Sequence, residues 1–231
     1  MASTRCPGKP LRDLAGKPML QWVYEAVCKA EIPTAVVIAT PDQEIVDAAN
    51  RFGCEAVLTG DHHTTGTDRI AEAASILGAD AYLNVQGDEP LIQPEAIDAC
   101  ARPILQGEAE MASVYDWMQP EDESNPAVVK VVTDLQDRAL YFSRAPIPFR
   151  RGLQDQPLKQ HVGLYAYTGN VLAKFATWIP TPLEQTEVLE QLRFMENGIT
   201  IQMSLSKGTP VAVDTPEQAE MAARLLAGGV A

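Results

Sequence analysis

Short apolar runs of β-forming residues alternate with amphipathic stretches through residue 106, and that alternation confines the chain to a narrow class of folds. AVVIAT (35–40) is continuous and apolar, the pattern of a strand covered on both faces. EAVLT (55–59) and AYLNVQ (81–86) are further strand-like runs. PMLQWVYEAVCKAE (18–31) predicts a helix with Pro18 at N1 and Met19, Leu20, Val23 and Val27 on one face. EIVDAANRF followed by Gly53 reads as a helix with a C′ glycine. DRIAEAASIL reads as a helix entered from the polar loop GDHHTTGT, with an ordinary N-cap at Thr67 or Asp68 as its plainest start. Strand and helix in alternation predict a parallel sheet with helices on both sides.

The middle of the chain changes character. MASVY, VVKVVT, RALYFSR and KQHVGLYAYT are strand-like with little helix between them, and DLQD is short enough to close a hairpin. Residues 111–168 therefore predict a mainly antiparallel extension, in part a lobe carrying PIPFRRGLQDQP (146–157). Helices return at 169–178 and 182–197, the latter opened by the capping box Thr181-Pro182-Leu183-Glu184 and ended at Gly198. Along it Val188, Leu192 and Met195 form an apolar stripe. Glu184, Glu187, Glu190 and Gln191 lie on another arc, which by itself reads as a solvated face. TIQMSL and VAVD predict two more strands, and VAVD runs into a second capping box, Thr215-Pro216-Glu217-Gln218. At 231 residues and 46% hydrophobic content, the expectation is one α/β domain over 1–231 with the β-rich lobe at 111–168. Its core would be a mostly parallel doubly wound sheet with a small antiparallel extension.

A net charge of −13 argues against nonspecific nucleic-acid binding and against docking on an anionic membrane. No apolar run approaches eighteen residues and no signal-peptide core is present, so the reading is a cytoplasmic protein. Cys6, Cys28, Cys54 and Cys100 are scattered without a C-x-x-C pair, which fits reduced cysteines better than zinc or disulfides. Against the acidic balance, the opening MASTRCPGKPLRDLAGKP carries Arg5, Lys9, Arg12 and Lys17 beside one acid, Asp13. That stretch, threaded with Pro7, Gly8 and Pro10, is either a solvated terminus or a local pocket for an anion.

Two acids stand at predicted strand ends, Asp88 in NVQGDEP and Asp214 in VAVDTPE, where open α/β sheets bind ligands. Either one alone also reads as a turn aspartate. Together they suit Mg²⁺, which takes one or two carboxylates and fills its shell with water and substrate phosphates. G-x-x-x-x-G-K-[ST], G-x-G-x-x-G and G-x-S-x-G are all absent, and His62, His63 and His161 form no evident triad. What remains favours a metal-assisted reaction at the phosphates of a nucleotide.

ASTRCPGKPLRDLAGKPM resembles the nucleotide-binding signature of the sugar cytidylyltransferases. DHHTTGTDRIAE, LNVQGDEPLI, NPAVVKVV, ALYFSRAPIP, HVGLYAY, PLEQTEVLEQLR and VDTPEQ follow in an order similar to the CMP-Kdo synthetase family, over nearly the whole chain. The resemblance implies transfer of CMP from CTP to the anomeric hydroxyl of 3-deoxy-D-manno-octulosonate (Kdo), with Mg²⁺, for lipopolysaccharide biosynthesis. It implies Ser3, Arg5 and Lys9 at the triphosphate, Thr65, Gly66 and Arg69 near the nucleotide, and Gln86 beside nucleotide and sugar. It places Asp88 and Asp214 on metal, with Lys9 completing the catalytic set. Arg144, His161, Tyr165, Glu190 and Gln191 match the sugar pocket, and a homodimer through the middle lobe is implied. The family carries an apolar strand and P-A-R-Y just before A-S-T-R, so a longer natural product is expected. The same motifs leave open another acid sugar, such as an amino-Kdo or a sialic acid, and a nucleotide-sugar-binding homologue without turnover.

Overall fold

The computed structural model describes residues 8–63, 65–152, 156–208 and 211–228. Two compact units emerge: Met1–Leu77 with Asn84–Asp98 and Thr209–Ala231, and Gly78–Leu83 with Ala99–Gly208. Residues 111–168 all fall within the second unit.

The first unit opens with a 3₁₀ turn, Lys9–Leu11, entered through Gly8 at φ 68, a left-handed conformation that glycine adopts without a Cβ penalty. A short antiparallel pair follows, β1 (Asp13–Leu14) and β2 (Lys17–Pro18). The helix α1 (Met19–Val27) buries Met19, Leu20, Val23 and Val27, the stripe expected from its spacing, with Pro18 standing at the N-cap. β3 (Val37–Thr40) and β4 (Glu55–Leu58) pair in parallel through α2 (Gln43–Arg51), which ends at Gly53 with φ 80. α3 (Gly66–Leu77) follows. Leu14, Met19, Val211, Val213, Ala219 and Ala222 form one core cluster, and the Trp22 indole donates to the Leu14 carbonyl at 2.7 Å.

Val211 and Val213 are buried and Asp214 is exposed, so the VAVD alternation is real, yet the segment joins no sheet. The expected strand is corrected to an extended connector. Its Val213 N–H donates to the Asp88 carbonyl at 2.9 Å, not into a ladder.

The second unit is built on a six-stranded sheet. Its members are β5 (Ala81–Asn84), β6 (Met111–Trp117), β7 (Lys130–Thr133), β8 (Ala139–Ser143), β9 (Lys159–Thr168) and β10 (Ile201–Leu205). β10 and β6 run parallel, whereas β6–β9, β9–β7 and the β7–β8 hairpin are antiparallel. The fold class read from the sequence, α/β with parallel pairing and an antiparallel extension, therefore holds. α4 (Pro94–Leu105) and α5 (Gly169–Phe175) accompany the sheet, and α8 (Pro216–Leu226) closes the described chain from the capping box at Thr215.

The expected single helix at 182–197 is two, α6 (Pro182–Glu187) and α7 (Gln191–Glu196), broken where Val188 takes φ 54. Val188 leaves the predicted apolar stripe and is 75% exposed. The break is made from outside the segment: Arg144 takes the carbonyls of Glu187 and Val188 with its guanidinium, at 2.9 and 3.2 Å. Among the described residues no helix is long and apolar enough to cross a membrane.

Candidate active site

In the first unit, the ammonium of Lys9 reaches Asp88 Oδ2 at 2.7 Å and Asp214 Oδ1 at 3.1 Å. The two strand-end acids read from the sequence thus meet at one cation. The backbone bond from Val213 to Asp88 fixes the segments in register beside it. Burial alone would lower the Lys9 pKa, but hydrogen bonds and charge from Asp88 and then Asp214 outweigh it and hold the pKa above the ordinary lysine value. Next to this pair, Glu89 is buried with its Oε2 unbonded among the described residues. Burial and the neighbouring Asp88 push its carboxyl up to about 7.

The donor set suits a hard divalent cation. Two carboxylates of different segments present oxygens to one point, and their side chains stay 32% and 51% exposed, leaving room for water and phosphate in the shell.

Thr65 caps α3, correcting the expected start at Thr67 or Asp68: its hydroxyl donates to Asp68 Oδ2 at 2.8 Å and accepts from the Asp68 N–H at 3.2 Å. Thr67 is instead buried at 1% exposure. Gly66, exposed at the first turn, lies against an amide pair in which Gln86 donates to Asn84 Oδ1 at 2.9 Å. Asn84 is buried, and its oxygen occupies one Gln86 N–H and so orients that amide. Arg69 is turned back on its own loop, donating to Thr59 Oγ1 at 2.6 Å and to the Gly60 carbonyl at 3.0 Å. Glu72 completes this brace by accepting from the Gly60 N–H at 2.9 Å and bonding His63 Nε2. Those bonds, His63 first, hold the Glu72 carboxyl below its usual range. Asn84 and Glu72 lie inside LNVQGDEPLI and DHHTTGTDRIAE, yet neither stands out there as a site residue, because nothing in the loop spacing points to them in particular. Ser3 and Arg5, expected at the triphosphate, lie outside the described residues.

In the second unit, His161 and Tyr165 stand on β9 at a bulge opposite Ser113–Val114, their rings 5.3 Å apart. The His161 ring also meets Phe142 edge-on at 5.0 Å, and burial pushes its pKa down to about 3, so it is neutral. Ser113, fully buried, fills the bulge: its hydroxyl reaches the Leu164 carbonyl at 2.8 Å and His161 Nε2 at 3.0 Å. A hydroxyl has one proton, so a Ser113 that donates to Leu164 accepts from a protonated Nε2, leaving Nδ1 as an acceptor.

Arg144 is held by backbone. Its guanidinium donates to the carbonyls of Glu187, Val188 and Pro126 (2.9 Å), and its own N–H goes to Glu187 Oε2 at 3.0 Å. Glu187 also accepts from Ser143 at 2.6 Å; burial pulls its pKa up, but the bonds from Arg144, Ser143 and Tyr141 outweigh this and lower it. Arg144, expected in the sugar pocket, thus spends three of its five guanidinium donors on backbone carbonyls, two of them in the turn that leads to Glu190 and Gln191. Gln191 is buried, and its Nε2 has no partner among the described residues, a donor placed for an incoming acceptor. Stacked rings at 6.0 and 5.5 Å run from Tyr165 through Tyr167 to Phe194, tying β9 to the helix that begins at Gln191.

The arc expected to be solvated is also corrected. Glu184 is buried and bidentate with Arg193, at 2.7 and 2.5 Å, while Arg193 lies 4.4 Å over the Phe175 ring.

Two carboxylates of distant segments gathered on a lysine, with a capped helix and an oriented amide pair in the same α/β unit, point to a protein of the nucleotidyltransferase type. A family profile described as cytidylyltransferase matches residues 1–201. A Geobacter sulfurreducens protein described as 3-deoxy-manno-octulosonate cytidylyltransferase is 46% identical, covering 95% of this chain and 93% of the relative. A Vibrio vulnificus protein of the same description is 45% identical over 97% of this chain and 94% of its own length. A solved structure of CMP:2-keto-3-deoxy-manno-octonic acid synthetase complexed with CTP superposes with a TM-score of 0.95 at 38% identity, covering 98% of this chain and 95% of that one. A 4-diphosphocytidyl-2C-methyl-D-erythritol synthase from Anaerococcus prevotii shares the fold alone, at 11% identity and TM-score 0.63. The chain belongs to the cytidylyltransferase family.

Proposed function

We propose that this chain transfers CMP from CTP to the anomeric hydroxyl of Kdo, giving CMP-Kdo and pyrophosphate. The observation that carries the reading is the convergence of Asp88 and Asp214 on Lys9 within a chain of this family. Asp88 and Asp214 would hold Mg²⁺, which when bound neutralises charge on the phosphates and lowers the pKa of the attacking hydroxyl. Lys9, with Ser3 and Arg5, grips the triphosphate by charge-assisted bonds. Thr65, Gly66 and the start of α3 offer backbone N–H groups to the nucleoside, Arg69 keeps their loop in place, and Gln86 presents an oriented amide. Neutral His161 accepts a sugar hydroxyl proton in a hydrogen bond, Tyr165 packs beside it, and Gln191 donates from a buried amide. Arg144 and Glu190 set the polar wall on which the acid sugar's carboxylate and hydroxyls are read. No side chain is assigned as general base.

A homodimer through the 111–168 lobe is part of the same reading, supported by the exposed Leu135, Leu140 and Phe149, and sedimentation analysis reads it directly. A cytoplasmic site of action is likewise proposed. The deciding experiment is pyrophosphate release from CTP and Mg²⁺ with Kdo, an amino-Kdo or a sialic acid as acceptor. Release with Kdo in clear preference is expected. Preference for another acid sugar would reassign the acceptor, and a folded protein that binds CTP yet releases nothing would make it a binding homologue.

A further inference from the structure

Lys9 does two things at one place. Its ammonium contacts both carboxylates proposed for the divalent cation, with its side chain only 13% exposed. Among a chain's own groups, a bridging ammonium is the nearest equivalent of a metal ion: it neutralises part of the repulsion between two acids and satisfies their inward lone pairs. Two acids held by one lysine carry a net charge of −1, where the two acids alone carry −2, so the pair is a weaker cation trap while Lys9 stays in place.

We propose that Lys9 is a built-in placeholder cation: it holds Asp88 and Asp214 together and masks them from free divalent metal until a nucleotide's phosphates draw the ammonium away. This rests on the nucleotidyl-transfer reading and adds an order of events. The triphosphate is the ligand for which an ammonium would leave a carboxylate, because it offers several anionic oxygens of its own. Once Lys9 turns to the phosphates, the two acids face the metal uncovered, and metal and nucleotide bind synergistically. That coupling is reciprocal, as any linkage between two ligands must be.

The test uses Mn²⁺ alone on the nucleotide-free protein, followed by paramagnetic resonance of the free ion. Lys9→Gln is expected to bind Mn²⁺ at least tenfold more tightly than the wild type, Lys9→Arg to bind no better than wild type, and Lys9→Gln/Asp88→Asn to lose the gain. Equal affinity in Lys9→Gln and wild type overturns the proposal. A gain that survives Asp88→Asn also overturns it, since the unmasked site would lie elsewhere. A second measurement needs no variant: reductive methylation of the wild type, read at Lys9 by mass spectrometry. Saturating Mg²⁺ without nucleotide should raise Lys9 labelling at least threefold as metal displaces the ammonium, and unchanged labelling counts against the masking role. Pyrophosphate release from untreated wild-type protein keeps the two readings apart. Turnover with no unmasking defeats only the placeholder, whereas unmasking with no turnover defeats only the transferase reading.

Discussion

Removing Glu184 should cost this protein far more than its place on a charged arc suggests. Its carboxylate accepts both fork bonds of Arg193, at 2.7 and 2.5 Å, and the Thr181 N–H at 3.0 Å, with side chains only 10% and 5% exposed. Truncating one partner of a buried pair leaves the other charge out of water and typically costs about 3–5 kcal/mol, against about 0.2–1 kcal/mol for an exposed pair. Glu184→Ala belongs to the first class, and that loss is a large part of a total stability of about 5–15 kcal/mol. With a urea m-value of about 2 kcal/mol/M, the midpoint falls by roughly 2 M. Trp178 reports the event locally, since its ring packs on Phe194 and its carbonyl lies 3.5 Å from Arg193 Nη1. Urea titration of Trp178 fluorescence in a Trp22→Phe/Trp117→Phe background is the assay. Glu184→Leu/Arg193→Met should recover most of the loss, because an apolar pair of similar volume carries no desolvation debt. A Glu184→Ala cost below about 1 kcal/mol, with the double variant no better, would refute the buried-pair reasoning.

Asp88→Asn and Asp214→Asn should each cut pyrophosphate release by about 10²–10³-fold or more while the circular-dichroism spectrum stays native; near-normal turnover in either removes that acid from the metal site. His161 has a folded pKa of about 3 against 6.5 for the free side chain, so the unfolded chain takes up a proton that the folded chain refuses. Its contribution is therefore full above pH 6.5 and is lost progressively as pH falls toward 3. His161→Gln should flatten the acid limb of a stability–pH curve by about one proton. Glu72→Gln should loosen the loop that Gly60 and His63 share with it, raising KM for CTP several-fold and leaving KM for the sugar unchanged; steady-state kinetics with each substrate varied in turn decides this.

Local order was legible where neighbours in sequence make it. The α1 stripe, the Gly53 stop, the β7–β8 hairpin and the Thr215 box depend on residues a few positions apart, and the structure has them. Asp88 and Asp214 were legible from a topological rule, ligands beyond strand ends, although one of the two ends belongs to no strand. What stayed hidden was made by distant partners. Val188 sits in a sound helical pattern, and only Arg144, 44 positions away, takes its carbonyl and turns it out. Lys130 reads as a polar interruption of VVKVVT, yet it is fully buried with its ammonium on the carbonyls of Asn125 and Arg144 at 2.6 and 3.3 Å. Glu184 and Ser113 are hidden for the same reason: a polar residue's burial is decided by who satisfies it, and periodicity carries no record of that.

Lys9 and Asp214 are 205 positions apart, and the bond between them has a consequence for timing. At ribosomal speeds of about 5–20 residues per second, the lysine emerges on the order of 10–40 s before the second aspartate, and the first aspartate roughly 6–25 s before it. Throughout that interval a nascent chain would own the proposed grip for phosphate but only half of the proposed cation seat. On the proposed metal role, a half-made polypeptide would have no means of spending CTP, and the last-synthesised of the three residues would arm the enzyme.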